Sequence, residues 1–490
     1  MQKILLVNLE GETSMTTQKY MPFHLHNIDD SRKLMPIKSP YSNEEIGLLY
    51  PCSKDEVDES IKRAKAAQNI WKTETVRQRA ELLFLWAKQI NSSVEEMASI
   101  LMQEVGKGID DAVKEVKRTV DFINYTAEEV IHMTGESMRG ENFPGGSRKK
   151  LAIIERVPLG VVLSIAPFNY PINLAAAKIA PALAAGNSCI FKPATQGSIC
   201  GWYLVKTLID AGMPEELVPL ITGKGSEIGD YLVQHPLLNF VSFTGGTETG
   251  LSIAKKVGMV PIVMELGGKD PAIVFDDVDL ELIAKTIVAG GFSYSGQRCT
   301  GIKRVIAHKS IIHELTKLLT KEVELLSIGS PEDNCSIVPL IDTKAADYIV
   351  ELIDDALQKG AVALTGNKRE GNIVYPTLLT NVNLNMRVAW EEPFGPVLPI
   401  FEFETEEEAV NLANASDYGL QVSIFSSSYD RAFKMSDRLE TGTVQINGRP
   451  ERGPDHFPFI GTKHSGIGVQ GIRKSIESMS REKVTILNFE

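Results

Sequence analysis

Cysteine is scarce in this sequence of 490 residues, and the few cysteines are far apart. The five are Cys52, Cys189, Cys200, Cys299 and Cys335. Their number is odd and no two form a CxxC pair, which argues against a disulfide framework and against a zinc site. The eight histidines form no HExxH or similar cluster, so no metal is expected. Reduced thiols are typical of a cytoplasmic protein.

Long apolar runs and an excess of basic residues are also missing. No run approaches the roughly 18 apolar residues that a membrane span needs. The first residues hold an apolar run of four, Ile4 to Val7, which is shorter than the core of a signal peptide. The formal net charge is −12, whereas a general nucleic-acid-binding protein needs a basic face. The sequence therefore predicts a cytoplasmic protein without nucleic acid or membrane partners, although a local basic pocket remains compatible with it.

Strand and helix patterns alternate through most of the chain. Residues 55–135 are predicted to be helical, with Ser53 and Glu56 in the spacing of a capping box. The apolar segments "PLGVVLSIAPFNYP", "SCIFKP" and "FVSFTGG" each precede a helical pattern, which indicates parallel strands with crossover helices. A second alternating stretch covers about 270–455. The tail "SREKVTILNFE" is predicted to be a terminal strand whose bare edge favours pairing with another subunit.

One cysteine has a charged neighbour. In "YSGQRCTGIKR", Cys299 directly follows Arg298 and lies five residues before Arg304. A cysteine there can be a small buried residue beside a solvated charge. Alternatively, the positive charge favours the thiolate, which is the nucleophilic form.

Two glycine-rich turns follow predicted strands. In "FVSFTGGTETG", Gly245 and Gly246 end a strand and Gly250 lies in the first turn of the next helix. Helix N–H groups there could bind a phosphate, but the spacing is not GxGxxG, and a tight strand–helix turn is the alternative. In "VMELGGKDPAIVF", Glu265 ends a predicted apolar strand and lies just before Gly267 and Gly268. A carboxylate in this place can be a general base or a structural group. Lys192 lies at the end of another predicted strand, where its side chain either contacts a bound ligand or is solvated.

Taken in order, six motifs closely resemble the aldehyde dehydrogenase superfamily, from about residue 40 onward. They are "PFNYP", "FKPAT", "FTGGTETG", "MELGGKDP", "SGQRCT" and "EEPFGPVLP". The resemblance implies an α/β fold with a Rossmann-like dinucleotide-binding domain, residues 1–137 and 157–265, and an α/β catalytic domain, residues 266–457. Small β segments, residues 138–156 and 458–490, would join subunits into a homo-oligomer, a tetramer built as a dimer of dimers.

The resemblance also implies roles for individual residues. Cys299 matches the nucleophile, Glu265 the general base and Asn169 the amide of the oxyanion hole. These roles describe attack of a thiolate on an aldehyde, loss of hydride to a nicotinamide, and hydrolysis of the thioester to a free acid. The residues matched to the cofactor site are Lys192, Thr195, Gly225, Gly245, Gly246, Gly250, Glu392 and Phe394.

The substrate prediction depends on Arg298, because many family members have a neutral residue there. Together with Arg118, Arg452 and Tyr170 it matches members that irreversibly oxidise glyceraldehyde 3-phosphate without inorganic phosphate. Three arginines can bind a dianion through bidentate hydrogen bonds. Arg452 lies in a loop, so we expect it to be the arginine least tied to the core. The alternatives are another anionic aldehyde, such as succinate semialdehyde, and a non-catalytic relative of the fold.

Cofactor choice is predicted from Thr195. NAD-preferring relatives commonly have a glutamate at this position, and a carboxylate would repel the 2′-phosphate of NADP. Thr195 removes that repulsion, and Lys192 adds a positive charge. The resemblance therefore implies NADP, with NAD also possible.

Overall fold

The computed structural model describes residues 17–26, 28–29 and 31–490. The apolar run Ile4–Val7 lies outside the described residues. Helices α1–α7 span Lys54–Trp71, Val76–Ser92, Val94–Val105, Ile109–His132, Asn173–Ala184, Ser198–Asp210 and Gly225–Val233. Helices α8–α14 span Thr247–Lys256, Leu280–Phe292, Ile312–Glu324, Thr343–Gln358, Glu406–Asn414, Tyr429–Ser436 and Ile472–Ser478.

The capping box predicted at the start of α1 is confirmed. Ser53 Oγ accepts a hydrogen bond from the Glu56 N–H at 3.2 Å, and the Ser53 N–H donates to Glu56 Oε2 at 2.7 Å. Two of the orphan N–H groups at the helix start are thereby satisfied. In the described part of the chain, no helix is long and apolar enough to cross a membrane.

A five-stranded sheet organises the first half of the chain. Its spatial order is Gly466–Ile467, Ile262–Glu265, Leu238–Thr244, Val161–Ala166 and Ser188–Pro193. The four longer strands are mutually parallel, and the two-residue strand is antiparallel to its neighbour. Side chains alternate between two cores, with Val162 in one and Val161 and Leu163 in the other. Both faces of the sheet are therefore covered, as expected for a parallel sheet.

The second sheet has seven strands. Its order is Val362–Ala363, Thr377–Thr380, Val397–Phe403, Arg304–His308, Pro271–Val274, Gln421–Phe425 and Thr443–Ile446. All pairings are parallel except the first. Separate apolar cores cover its two faces. The predicted α/β architecture is confirmed.

Smaller strands complete the described structure. A three-stranded sheet pairs Lys19–Tyr20, Glu45–Leu49 and Met35–Lys38. Short two-stranded pairs join Arg369–Glu370 to Ile373–Val374, Tyr418–Gly419 to Thr462–Lys463, and Phe459–Ile460 to Val469–Gln470.

The C-terminal strand is an edge strand, as predicted. Ser480–Asn488 pairs antiparallel with Lys150–Pro158, which also pairs with Glu136–Arg139. Most of Ser480–Asn488 is exposed. The division into domains and bridging segments stays a proposal. Within the predicted C-terminal segment, 466–467 lies in the five-stranded sheet and α14 packs on α4 and α5.

Candidate active site

Cys299 follows a strained turn at the end of α9. Tyr294 and Ser295 both have left-handed backbone conformations, with φ of 52° and 53°. Non-glycine residues hold this conformation only where surrounding contacts fix it. Ser295 Oγ accepts from the Val338 N–H at 2.8 Å and donates to the Val338 carbonyl at 2.7 Å. The cysteine is therefore presented by a turn that is anchored to a different segment of the chain.

The positive charges that act on the Cys299 thiol do not come from Arg298, the neighbour in the sequence. Burial raises the pKa of the Cys299 thiol above its ordinary value, and Lys303 and Arg452 oppose that shift. Lys303 is buried and donates to the Cys299 carbonyl at 2.7 Å. Arg298 instead donates to Ser293 Oγ at 2.7 Å. The hypothesis that Arg298 favours the thiolate is not supported, because the cations that lower the pKa of the Cys299 thiol are Lys303 and Arg452.

Arg304, the other arginine of that stretch, is structural. It is buried, and its guanidinium donates to the carbonyl oxygens of Lys269, Leu412 and Ala413 at 3.1, 2.9 and 3.2 Å. These bonds tie the strand Arg304–His308 to two neighbouring segments.

Asn169 lies in a loop that a buried ion pair fixes in place. Glu115 Oε1 accepts from the N–H groups of Ile172 and Asn173 at 3.0 and 3.1 Å, at the start of α5. Lys107 pairs with Glu115 and donates to the Asn169 carbonyl at 2.7 Å. Asn169 Nδ2 donates to the Gln297 carbonyl at 3.0 Å, two residues before Cys299. The amide carries a second hydrogen, which can serve an oxyanion.

Glu265 is buried at the end of its strand and is paired with Arg452. Arg452 Nη1 lies 2.5 Å from Glu265 Oε2, and the two side chains are 12% and 5% exposed. Glu265 Oε1 has no hydrogen-bond partner in the part of the chain that the structure describes. The carboxylate thus has one oxygen bound by a guanidinium and the other unpaired.

A buried lysine contacts the same carboxylate through a threonine. Lys178 Nζ donates to Thr244 Oγ1 at 2.6 Å, and Thr244 Oγ1 lies 3.4 Å from Glu265 Oε2. Burial lowers the pKa of Lys178 to about 8. A lysine whose pKa is lowered toward neutrality can hold or release a proton beside the Glu265 carboxylate.

The three predicted substrate arginines meet at one loop. Arg118 makes a bidentate contact with Asp455, at 2.7 and 2.8 Å, and also donates to the Arg452 carbonyl. Arg298 Nη2 donates to the Pro450 carbonyl at 3.5 Å. The expectation for Arg452 is wrong, because it is the arginine that binds Glu265, and its guanidinium also lies 5.0 Å from the centre of the Phe459 ring.

Tyr170 lies on the same side of the site. Its ring packs edge-on against Tyr294 at 6.3 Å, and Lys107 Nζ lies 3.7 Å from its centre. Tyr170 is close enough to Arg118 to interact with its charge. The structure therefore brings all four predicted substrate residues together.

Most of the predicted cofactor residues lie at the carboxyl ends of two parallel strands, Ser188–Pro193 and Leu238–Thr244. Lys192 is the penultimate residue of the strand Ser188–Pro193 and is buried. Its Nζ donates to the Pro193 carbonyl at 3.2 Å, and burial lowers its pKa to about 8. Thr195 follows it and is half-buried. The edge beyond the carboxyl ends of parallel strands is where α/β proteins bind ligands.

Helix N-termini with space around them complete that edge. Gly246 caps α8, and Gly225 begins α7. A Cβ at either would meet nothing within 4 Å, whereas a Cβ at Gly250 would collide with Leu266. Gly245 directly follows the strand Leu238–Thr244 and donates its N–H to the Glu265 carbonyl at 3.2 Å. Open backbone at helix N-termini fits a phosphate-bearing cofactor.

Glu392 and Phe394 precede the strand Val397–Phe403, and Glu392 shares its partner Lys303 with the Cys299 carbonyl. Glu392 Oε1 accepts from Lys303 Nζ at 2.6 Å and from the Gly268 N–H at 3.0 Å. A Cβ at Gly267 would collide with the Glu392 carboxylate. Phe394 has a positive φ of 43° and packs edge-on against Phe168 at 5.9 Å. Backbone strain of this kind is concentrated at functional sites.

Sequence reasoning missed several charged residues of the site. They are Lys107, Glu115, Lys178, Lys303 and Asp455. One of them had a signal, because Lys178 is the single charged residue in the otherwise apolar and polar helix α5, which is buried throughout, and lysine is almost never fully buried unless it is paired.

Comparison with known proteins agrees with this geometry. Residues 27–485 match the model of the aldehyde dehydrogenase family. The chain is 49% identical over 459 residues to the NADP-dependent glyceraldehyde-3-phosphate dehydrogenase of Streptococcus equinus, covering 94% of this chain and 96% of that protein. It is 47% identical over 483 residues to the Arabidopsis thaliana protein of the same name, covering 98% and 96%.

A solved structure gives the same result. The NADP-dependent glyceraldehyde-3-phosphate dehydrogenase of Bacillus halodurans C-125, complexed with NADP, is 53% identical, covers 94% of this chain and 97% of its own, and superposes with a TM-score of 0.93. The ordered motifs, the fold and the relatives agree, so this chain belongs to the aldehyde dehydrogenase family.

Proposed function

We propose that this enzyme oxidises glyceraldehyde 3-phosphate to 3-phosphoglycerate with NADP⁺ and water, through a thioester on Cys299. The observation that supports this substrate is that Arg118, Arg298 and Arg452 meet at one loop, beside Glu265. A phosphate dianion is the substrate group that such a cluster suits. The names of the relatives described above support the same substrate and the same cofactor.

The chain's own residues supply the covalent chemistry. The Cys299 thiolate attacks the aldehyde carbon, and the resulting oxyanion accepts hydrogen bonds from Asn169 Nδ2 and from the Cys299 N–H. Donors placed in this way contribute about 3 kcal/mol to transition-state stabilisation. NADP, when bound, supplies the hydride acceptor. Glu265 then takes a proton from water, whose oxygen attacks the thioester, and Cys299 leaves as the thiolate.

The cofactor proposal predicts the effect of one substitution. Wild-type enzyme should have a higher kcat/KM with NADP than with NAD, and Thr195→Glu should shift the preference toward NAD. A carboxylate at 195 repels the 2′-phosphate, which carries about −1.5 to −2 charges. Steady-state kinetics with both cofactors measure the ratio, and Thr195→Gln is the uncharged control. A wild-type preference for NAD of about tenfold or more, equivalent to 1.4 kcal/mol, would contradict the assignment.

The substrate proposal is tested best at Arg298. Among the described residues its guanidinium contacts neutral oxygens only, those of Ser293 and Pro450, whereas the other two arginines are paired with carboxylates. A charge-assisted contact contributes about 1.5–3 kcal/mol. Arg298→Met should therefore lower kcat/KM for glyceraldehyde 3-phosphate by roughly ten- to a hundredfold, with little effect on unphosphorylated glyceraldehyde.

Three comparisons make this measurement decisive. Arg298→Lys, which keeps the charge but loses the bidentate geometry, should fall between wild type and Arg298→Met. Equal losses on both aldehydes would indicate a structural defect. A wild-type preference for succinate semialdehyde would replace the phosphate assignment with the alternative anionic substrate.

The proposal also includes a cellular location and an oligomeric state, each supported by its own observation. All five cysteines are free, which supports a cytoplasmic enzyme. The exposed edge of Ser480–Asn488 supports a homo-oligomer in which this strand pairs across a subunit interface, in a tetramer built as a dimer of dimers.

A further inference from the structure

Arg452 contacts both halves of the site. Its Nη1 binds Glu265 Oε2 at 2.5 Å, and its Nη2 binds Gln470 Oε1 at 2.5 Å. The loop that carries it also receives Arg118 and Arg298. One guanidinium therefore links the base that hydrolyses the thioester to the cluster that would bind the substrate's phosphate.

The hydrogen bonding around Arg452 is incomplete. Glu265 Oε1 and Gln470 Nε2 are both buried and, in the described residues, both lack a hydrogen-bond partner. A buried polar group without a partner destabilises the arrangement that leaves it unpaired. A ligand that supplied new partners would therefore rearrange these side chains readily.

The contact also limits what Glu265 can do. Oε2 accepts a charge-assisted hydrogen bond from Arg452, and such bonds are about twice as strong as neutral ones. The ion pair therefore fixes the orientation of the whole carboxylate, so the unpaired Oε1 can turn toward a water molecule only after Arg452 has released Oε2. A phosphate dianion carries more charge than a carboxylate and presents three acceptor oxygens, so it competes effectively for the same guanidinium.

From this geometry we infer that Arg452 restrains Glu265 in the resting enzyme, and that the phosphate of the bound substrate draws Arg452 away and frees Glu265 to activate water. The inference rests on the proposed function, since it requires a phosphorylated aldehyde. Phosphate is then used twice, first for binding and later for hydrolysis of the thioester. Arg452 acts as a positioning residue for the base.

The test separates the phosphate from the aldehyde. Unphosphorylated glyceraldehyde acylates Cys299, and decay of the acyl-enzyme is followed by intact-protein mass spectrometry after a single turnover, with and without phosphite dianion. In wild type, phosphite should speed the decay severalfold. In Arg452→Met, decay without phosphite should already exceed that of wild type severalfold, and phosphite should add nothing. Arg77→Met, which removes an exposed arginine of α2, should behave as wild type.

Each outcome has a distinct meaning. A wild-type enzyme that prefers glyceraldehyde 3-phosphate but does not respond to phosphite overturns the inference and leaves the proposed function in place. Decay in Arg452→Met at or below the wild-type rate also overturns it. A wild-type enzyme with no preference for the phosphorylated aldehyde removes the proposed function, and the inference with it. The wild-type comparison needs no substitution, so it stands even if Arg452→Met folds poorly.

Discussion

Replacing Cys299 with alanine is expected to reduce aldehyde oxidation to background while leaving NADP binding nearly intact. In the proposed mechanism the thiol forms the covalent bond to the substrate, whereas most of the predicted cofactor residues lie elsewhere, at the carboxyl ends of parallel strands. Steady-state NADPH formation measures the first effect, and fluorescence titration with NADP measures the second. Activity close to that of wild type would remove Cys299 from the mechanism.

The matched control for that variant is Cys335→Ala. Cys335 is also free and partly exposed, but it lies outside the site, so its removal should leave oxidation unchanged.

Because burial raises the pKa of the Cys299 thiol above its ordinary value near 9.0, alkylation of Cys299 in the cofactor-free enzyme should be slow at pH 7 and should accelerate beyond pH 9. The thiolate fraction rises with pH, and the thiolate is the reactive form.

Glu265→Gln should separate acylation from hydrolysis. We expect a rapid burst of about one equivalent of NADPH per active site, followed by slow turnover, because the thioester forms but no base activates water for its hydrolysis. Glutamine can still accept a hydrogen bond from Arg452 and occupies the same space. Stopped-flow absorbance of NADPH resolves the two phases.

Other outcomes would assign Glu265 differently. Loss of both the burst and the steady state would place it in activation of Cys299. Unchanged kinetics would make it a structural carboxylate. Glu314→Gln, on an exposed face of α10, controls for loss of a carboxylate elsewhere and should keep full turnover.

The fold was largely predictable because its main strands are apolar and each ends at a turn. Val161–Ala166 and Leu238–Thr244 are buried on both faces, so they appear as continuous apolar runs followed by glycine, proline or asparagine. The short strand Gly466–Ile467 could not be predicted, because two residues carry no periodicity. Its place beside Ile262–Glu265 is decided by tertiary contacts alone.

Only those residues of the site that lie in recognisable sequence motifs could be predicted. Cys299, Glu265 and Asn169 each lie in a recognisable local pattern, but their charged partners do not. Arg118 and Asp455 are 337 residues apart, so nothing in either neighbourhood indicates the pair. The pairing of Arg452 with Glu265 was hidden for the same reason, and it leaves Arg298, whose partners are neutral, as the arginine to replace first.

The ion pair that holds the Asn169 loop has a calorimetric consequence. Glu115 and Lys107 fix this loop from two sides, so its conformational entropy is lost when the chain folds and not when the substrate arrives. Ordering of flexible segments normally makes the entropy of binding unfavourable. Titration of the aldehyde into Cys299→Ala loaded with NADP should therefore show a small entropic penalty, with a heat dominated by the contacts of the phosphate.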